Sequence, residues 1–293
     1  MAKIGIVTVL YNSASVLADF FKTLSEQTYK DFVLYVIDNK SPDESLLLSY
    51  KYAEQYKNCY KTIIIENHDN LGVAAGNNRG VTAAQQDGCD YILLSNNDVV
   101  LKNDCIQILL ESLLENNVDM IVPKILFYDE PLIWCAGGKY KLLSGTTAHY
   151  GYKLPDNGNY NEYRLCGYAP TCFMLIRTST FQEIGLFDEK YFVYYDDTDW
   201  VYRCKVARKK LAYEPSALMW HKESTSTGGM MSNFYLHYNT RNKYYFCKKH
   251  FSTLHLWLTI AANITYYYLR RRQKYSKDQH LIIKKSFKDG LSY

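Results

Sequence analysis

The chain has 293 residues, 47% of them hydrophobic and 22% charged, so it can bury a sizeable core without disulfide or metal staples and is neither disordered nor fibrous. Its formal net charge is only +4, which gives no reason to expect a nucleic-acid partner, but basic residues gather from Lys243 onward and point to an anionic partner surface at that end. Eight scattered cysteines, with no CxxC pair and no zinc-like histidine spacing, favour a reduced, cytoplasmic compartment over a disulfide framework.

Ile4 to Leu10 is a β-branched apolar run, too brief for the core of a signal peptide, and reads as a buried first strand. A helix follows from Ser15 to about Gln27, with Leu17, Phe20, Phe21 and Leu24 on one face, and Phe32 to Ile37 is the second strand. This βαβ opening continues as a helix from Leu46 to Tyr56, a strand from Thr62 to Glu66, a helix from Val73 to Gln86 and an apolar strand from Tyr91 to Ser95. A helix from Lys102 to Glu115 and a strand from Met120 to Pro123 complete a doubly wound half of the size of a nucleotide-binding unit. From Phe127 to Tyr163 short hairpin-like pieces rich in Gly, Tyr, Asn and Lys read as an acceptor-facing lobe, and Cys172 to Arg177 returns as a strand. Tyrosine outnumbers phenylalanine 29 to 12, which suits surfaces that meet sugars, although plain compositional bias accounts for it equally well.

Polar residues cluster where the predicted strands end, the place where open α/β sheets bind ligands. Asp38 closes the second strand in IDNKSPDES, where a carboxylate can accept hydrogen bonds from a base or ribose, or simply shape a turn. The segment NLGVAAGNNRG (Asn70 to Gly80) either lets backbone approach a phosphate or is an ordinary helix entry. Asn96, Asn97 and Asp98 end a buried strand, and Asp98 is the charged group there that a hard divalent cation would use. In GLFDEKYFVYYDDTDWVYR, Asp196, Asp197 and Asp199 crowd together, so like charges raise one another's pKa unless a cation or hydrogen bonds compensate; the cluster also suits the first turn of a helix. His221, after the strand-like run Ala217 to Trp220, is placed to complete a metal's shell or to serve the core.

The segments VTVLYNS, VIDNKSPDES, NLGVAAGNNRG, LLSNNDV, GLFDEKYFVYYDDTDWVYR, WHKEST and YNTRNKYYF, in that order over Lys3 to Phe251, resemble the family 2 inverting glycosyltransferases of the GT-A fold, in their rhamnosyltransferase-like branch. The resemblance implies an α/β fold with a mixed, mostly parallel central sheet flanked by helices. It implies a catalytic domain over residues 1–250, divided into a nucleotide-sugar-binding half (1–123) and an acceptor half (124–250), with a helical tail over 251–293. Asn12 and Asp38 would touch the nucleoside, Asn78 and Asn97 would lie in the donor site, and Asp98 with His221 would bind Mn²⁺ or Mg²⁺. Asp197 would be the general base with Asp196 in reserve, and Arg203 and Arg241 would hold the acidic cluster or the diphosphate. The implied partners are a dTDP- or UDP-linked sugar, a glycan or polyprenyl-linked acceptor, and a second copy of the chain. Three positions depart from the family's pattern: the DxD-type motif reads Asn96-Asn97-Asp98, the Glu-Asp pair reads Asp196-Asp197, and Lys40 stands where Gly is usual.

Phe251 to Leu269 carries no Lys, Arg, Asp or Glu and is flanked by Lys248, Lys249 and Arg270 to Arg272. Leu254, Trp257, Leu258, Ala261, Ile264 and Tyr268 fall on one helical face, with His255, Thr259, Asn263 and Tyr266 opposite. That spacing predicts an amphipathic helix lying in the plane of an anionic membrane surface, at the inner face of the cell membrane, in preference to a span; an ordinary packed helix is the competing expectation. A sugar-nucleotide pyrophosphorylase would want a Gly- and basic-rich loop where Tyr11, Asn12 and Ser13 stand. An inactive glycan-binding scaffold draws support from the single carboxylate at Asp98.

Overall fold

β1 (Ile4–Leu10) is central in the sheet because its side chains are apolar or small and are buried on both faces. It pairs in parallel with β2 (Phe32–Asp38) on one side and β4 (Tyr91–Ser95) on the other, and β3 (Lys61–Glu66) extends the parallel set beyond β2. The computed structural model describes residues 2–222 and 232–293.

Helices α1 (Leu17–Ser25), α2 (Ser45–Gln55) and α3 (Gly72–Gln86) make the crossovers between these strands. Leu17, Phe20, Phe21 and Leu24 turn one face of α1 into the core, joined there by Ile106, Leu109 and Leu113 of α4 (Cys105–Glu115). On the opposite face of the sheet α3 packs with Ala74, Val81 and Ala84, together with Phe181 and Trp200. Gly76 and Gly80 lie directly over β1, where an added Cβ would overlap Val9 and Val7. These glycines therefore serve close helix-to-strand packing, and the phosphate-approach alternative for this segment is not what they do.

β4 is followed by β5 (Val99–Leu101), and β6 (Met120–Phe127) runs on past Pro123, where the sequence predicts the strand to stop. The proline is accommodated opposite Glu214, where the pairing with β12 (Leu211–His221) shifts register between Glu214 and Leu218. The sheet order is β10-β12-β6-β11-β4-β1-β2-β3, with β7 (Ile133–Cys135) on β6, β5 on β12, and β10 (Arg164–Leu165) at the edge. β11 (Phe173–Arg177) runs antiparallel between β4 and β6, so strands from both halves of the chain share one sheet. β8 (Gly138–Lys141) and β9 (Thr146–His149) form a separate hairpin, the hairpin-like element expected in the 127–163 lobe.

α5 (Thr178–Ile184) and α6 (Asp196–Val206) follow β11, and the acidic cluster lies in the first turn of α6. α7 (Asn233–His250), α8 (Thr253–Tyr266) and α9 (Lys277–Ser292) close the chain, with α9 packed along α7. In α8 the inward side is mixed, with Ile260 buried beside Thr259 and Leu256 packed on the domain, and much of the apolar surface faces out. Thr259 is fully buried, and Asn263 Nδ2 donates to the carbonyl of Ser144 at 3.1 Å, while Leu254, Trp257 and Leu258 are exposed.

Candidate active site

The strand order reverses beside β1, since the chain moves from β1 to β2 on one side and later to β4 on the other, and the crevice at the carboxyl ends of these strands is the natural ligand site. Leu10 is in register with Asp38, and Asn12 follows two residues later with φ +57° and an exposed side chain. Asp38 is buried, and its carboxylate accepts the backbone N–H of Ser41 at 3.2 Å, so it shapes the turn while facing the crevice end of β2. Asn97 Nδ2 donates to the Val9 carbonyl at 2.8 Å, which ties the end of β4 to β1. Lys40 takes φ +56°; the left-handed backbone explains why glycine suits this position.

Residues 98 and 221 meet because β5 and β12 pair antiparallel, with His221 opposite Val99 and Lys222 N–H bonded to the Asp98 carbonyl at 2.8 Å. Asp98 Oδ1 and His221 Nε2 are 3.3 Å apart, and both residues are buried. Neither ring nitrogen of His221 has a hydrogen-bond partner. A buried imidazole whose Nε2 faces a carboxylate, with no hydrogen bond made by either nitrogen, fits a divalent cation that takes its remaining ligands from a diphosphate. Among the described residues no group of three or more His, Cys, Asp or Glu side chains is arranged to hold a metal, so Asp98 and His221 would be a two-ligand site. The last three residues of WHKEST, 223–225, lie outside the described residues.

The acidic cluster is presented by a strained turn. Tyr194 and Tyr195 have φ +62° and +66°, two consecutive aromatic residues in the left-handed region, a conformation costing about 1–3 kcal/mol each and held only where surroundings enforce it. The surroundings are Asn242 of α7, fully buried, whose Nδ2 donates to the carbonyls of Val193 at 2.8 Å and Tyr194 at 2.9 Å, and the Tyr195 hydroxyl, which donates to the Gly145 carbonyl at 3.0 Å. From the other side, Val73 N–H donates to the Phe192 carbonyl at 2.7 Å. Asn78, expected in the donor site, bonds Phe187 through both amide groups and Glu189 through Nδ2. Its amide braces the segment that leads into the turn.

The three carboxylates have three environments. Asp196 is buried, and burial first, then the Asp197 charge, raises its pKa to about 8. Asp197 is partly exposed; its Oδ2 accepts the Tyr168 hydroxyl at 2.6 Å and its Oδ1 accepts the Thr198 N–H at 2.6 Å. Asp199 is fully buried, and although burial opposes its charge, hydrogen bonds from His250 and Lys249 and the charges of Lys249 and Arg203 hold it down to about 2. Arg203 Nε donates to Asp199 at 3.0 Å and its other nitrogens donate to the Ile184 and Leu186 carbonyls, so it holds the acidic cluster and faces away from the crevice. Arg241 bonds Asn242 Oδ1 at 2.8 Å and the Lys190 carbonyl at 2.8 Å.

A run of rings joins the cation-fitting pair to the carboxylates. His221 lies 4.7 Å from Trp134, Trp134 lies 4.8 Å from His149, and His149 lies 6.1 Å from Tyr168, which bonds Asp197. Burial pushes the Cys172 thiol well above its ordinary range, and the Asp98 and Asp197 charges act in the same direction. Trp134, His149, Tyr168 and His250 lie outside every quoted segment, and Asn242 lies inside YNTRNKYYF without a role there; the excess of tyrosine is the one sequence signal that pointed to Tyr168.

The family model described as Glycosyl transferase family 2 matches residues 5–185. The chain belongs to glycosyl transferase family 2. The match takes in Asn12, Asp38, Asn78, Asn97 and Asp98 and stops before the strained turn.

Relatives of the chain include the N-acetylglucosaminyl-diphospho-decaprenol L-rhamnosyltransferase of Mycobacterium tuberculosis, 25% identical over 242 residues, 76% of this chain and 77% of that protein. The cholesterol galactosyltransferase of Borreliella burgdorferi is 28% identical over 126 residues, 43% of this chain but only 33% of that protein. The chain thus matches about a third of the length of that relative. Among solved structures, Staphylococcus aureus TarS 1-349 in complex with UDP superposes with a TM-score of 0.62 at 13% identity, covering 98% of this chain and 80% of that one. GalNAc-T7 with UDP, GalNAc and Mn²⁺ superposes with a TM-score of 0.69 at 13% identity, covering 100% of this chain and 56% of that one. The fold of the chain is therefore the GT-A fold, as its motifs imply.

Proposed function

We propose that the chain transfers a sugar from a nucleotide-diphosphate donor, dTDP-rhamnose or a UDP-sugar, to a hydroxyl of a lipid-linked or growing surface polysaccharide, with inversion. Asp197 is the general base: its carboxylate takes the acceptor hydroxyl's proton, the acceptor oxygen bonds the anomeric carbon, and the bond from that carbon to the diphosphate breaks as the nucleotide leaves. Asp98 and His221 would hold Mn²⁺ or Mg²⁺, whose charge would offset that building on the leaving diphosphate. Asn12 and Asp38 line the nucleoside side of the crevice, and Asn97 fixes its edge. The Mycobacterium relative's named acceptor, a decaprenol-linked sugar, supports a lipid-linked acceptor and a working place at the inner face of the membrane.

The observation that carries this reading is the run of neighbouring rings, Trp134, His149 and Tyr168, that links the buried Asp98 and His221 pair, 3.3 Å apart, to Asp197, which Tyr168 hydrogen-bonds. It unites a cation-fitting pair and a partly exposed carboxylate around one crevice. Calorimetric titration with UDP and dTDP, with and without Mn²⁺ or Mg²⁺, tests it. Metal-dependent binding of one nucleotide, lost in Asp98→Ala, is the expected result; no binding under any condition would overturn it in favour of an inactive glycan-binding scaffold.

A further inference from the structure

A helix that packs on a soluble domain normally hides its apolar stripe and shows its polar one. α8 instead leaves a broad apolar stripe uncovered. Its outward face carries Leu254 at 71%, Trp257 at 62% and Leu258 at 52% exposure, and Leu269 in the following turn is 75% exposed. The inward face holds buried Thr259 and Ile260, Leu256 packed beside Phe246 and Tyr195, and half-buried Asn263, whose amide donates to the Ser144 carbonyl and accepts from Lys243 Nζ at 2.9 Å. Ile260, Leu256 and the Asn263 hydrogen bonds thus fix α8 to the domain while its broader apolar stripe stays turned out.

We propose that this outward face is the seat on which the chain lies against an anionic lipid surface. Charge selects the occupant. No Asp or Glu occurs from Ser224 to Lys277, and Arg270, Arg272 and Lys274 stand exposed where the apolar face ends. Basic residues beside exposed Trp and Tyr on an amphipathic face are the composition of a helix lying in the headgroup layer. Among the described residues no helix is long and apolar enough to cross a membrane, so seating and not spanning is the geometry available. A second copy packed parallel on this face would set its Arg270, Arg272 and Lys274 beside those of the first.

The seat also reaches the site. The turn at Ser144 and Gly145 that receives Asn263 also accepts the Tyr195 hydroxyl, so α8 and the strained turn before Asp197 share one support. Resting on the transferase reading above, this arrangement would turn the crevice toward an acceptor carried in lipid.

The test is flotation of the full chain with phosphatidylcholine vesicles, with and without phosphatidylglycerol, while tryptophan emission is followed. Binding to the anionic vesicles with a blue shift that Trp257→Ser abolishes is expected. The pair Trp257→Ser with Leu269→Ser should lose flotation, and Arg270→Gln with Arg272→Gln and Lys274→Gln should weaken it roughly a hundredfold, at about one decade or less per charge. These positions are exposed, so circular dichroism and nucleotide titration should match the parent. Flotation indifferent to the variants, no flotation at all, or a dimer in sedimentation that Trp257→Ser dissociates would each overturn the seat. Nucleotide binding measured alongside separates the two ideas: its presence without flotation removes the seat alone, and flotation without nucleotide binding removes the transferase reading and, with it, the seat's role in presenting an acceptor.

Discussion

The Tyr168 hydroxyl donates a 2.6 Å hydrogen bond to Asp197 Oδ2, joining the segment before β11 to the first turn of α6. Burial and the Asp197 charge keep the phenol far above its ordinary pKa, so it donates throughout the working range. The bond fixes which lone pairs of Asp197 face an incoming hydroxyl. Tyr168→Phe should lower kcat about tenfold or more, the scale of a lost hydrogen bond to a charged group, with KM and nucleotide affinity within twofold. Steady-state kinetics beside nucleotide calorimetry checks this, and an unchanged kcat would refute the positioning role.

Asp197→Asn removes the base and should lower kcat by about 10²–10⁴ while nucleotide binding and thermal stability persist. Asp196→Asn should be much milder, because Asp196 is buried and already holds its proton. If the two variants were equally slow, the assignment of the base within the pair would have to be reversed or shared.

Asp196 also sets a pH dependence of stability. Burial and the Asp197 charge raise its pKa on folding from the ordinary carboxylate range to about 8, so between these values the folded state binds more protons than the unfolded one. Stability from this group is full below about pH 4 and is lost as pH rises toward 8. Thermal midpoints across pH 5 to 8 should fall less steeply in Asp196→Asn than in the parent; parallel curves would contradict the burial of a protonated Asp196.

Asn242→Ala should cost about 2–3 kcal/mol, since it strands the Val193 and Tyr194 carbonyls and releases the strained tyrosine pair. Turnover should fall further than the loss of folded protein explains, because Asp197 follows directly on that turn. Denaturant unfolding and specific activity measured on the same preparation separate the two effects.

Lys40→Gly should stabilise the protein by about 0.5 kcal/mol. A lysine at φ +56° carries left-handed strain of about 1–2 kcal/mol, which outweighs the extra chain entropy of glycine. The ion pair it gives up, with Asp69 at 3.2 Å, lies between largely exposed side chains and contributes little. A lower thermal midpoint in the variant would show that the pair matters.

The parallel half of the fold was legible in the sequence because local pattern determines it. Apolar β-branched runs such as Ile4 to Leu10 and Tyr91 to Ser95 have one way to be buried, and the helices between them carry their own periodicity. The ends of β1, β2 and β4 were legible for the same reason, so Asn12, Asp38 and Asp98 stand where polar residues terminate apolar strands. Pairings between distant segments decided the rest. β11 inserts antiparallel between β4 and β6, and β12 brings His221 to Asp98 across 123 positions, contacts that no local window encodes. The acidic cluster announced chemistry without announcing roles: whether each Asp is buried with its proton, bonded to Tyr168, or pinned by Arg203, Lys249 and His250 follows from what packs on it. The periodicity of α8 showed that it has two faces, but only the hydrogen bonds of Asn263 to the Ser144 turn and to Lys243 decided which one turns inward. Periodicity reports that a helix is two-sided, and burial of a particular side is a property of the partner surface.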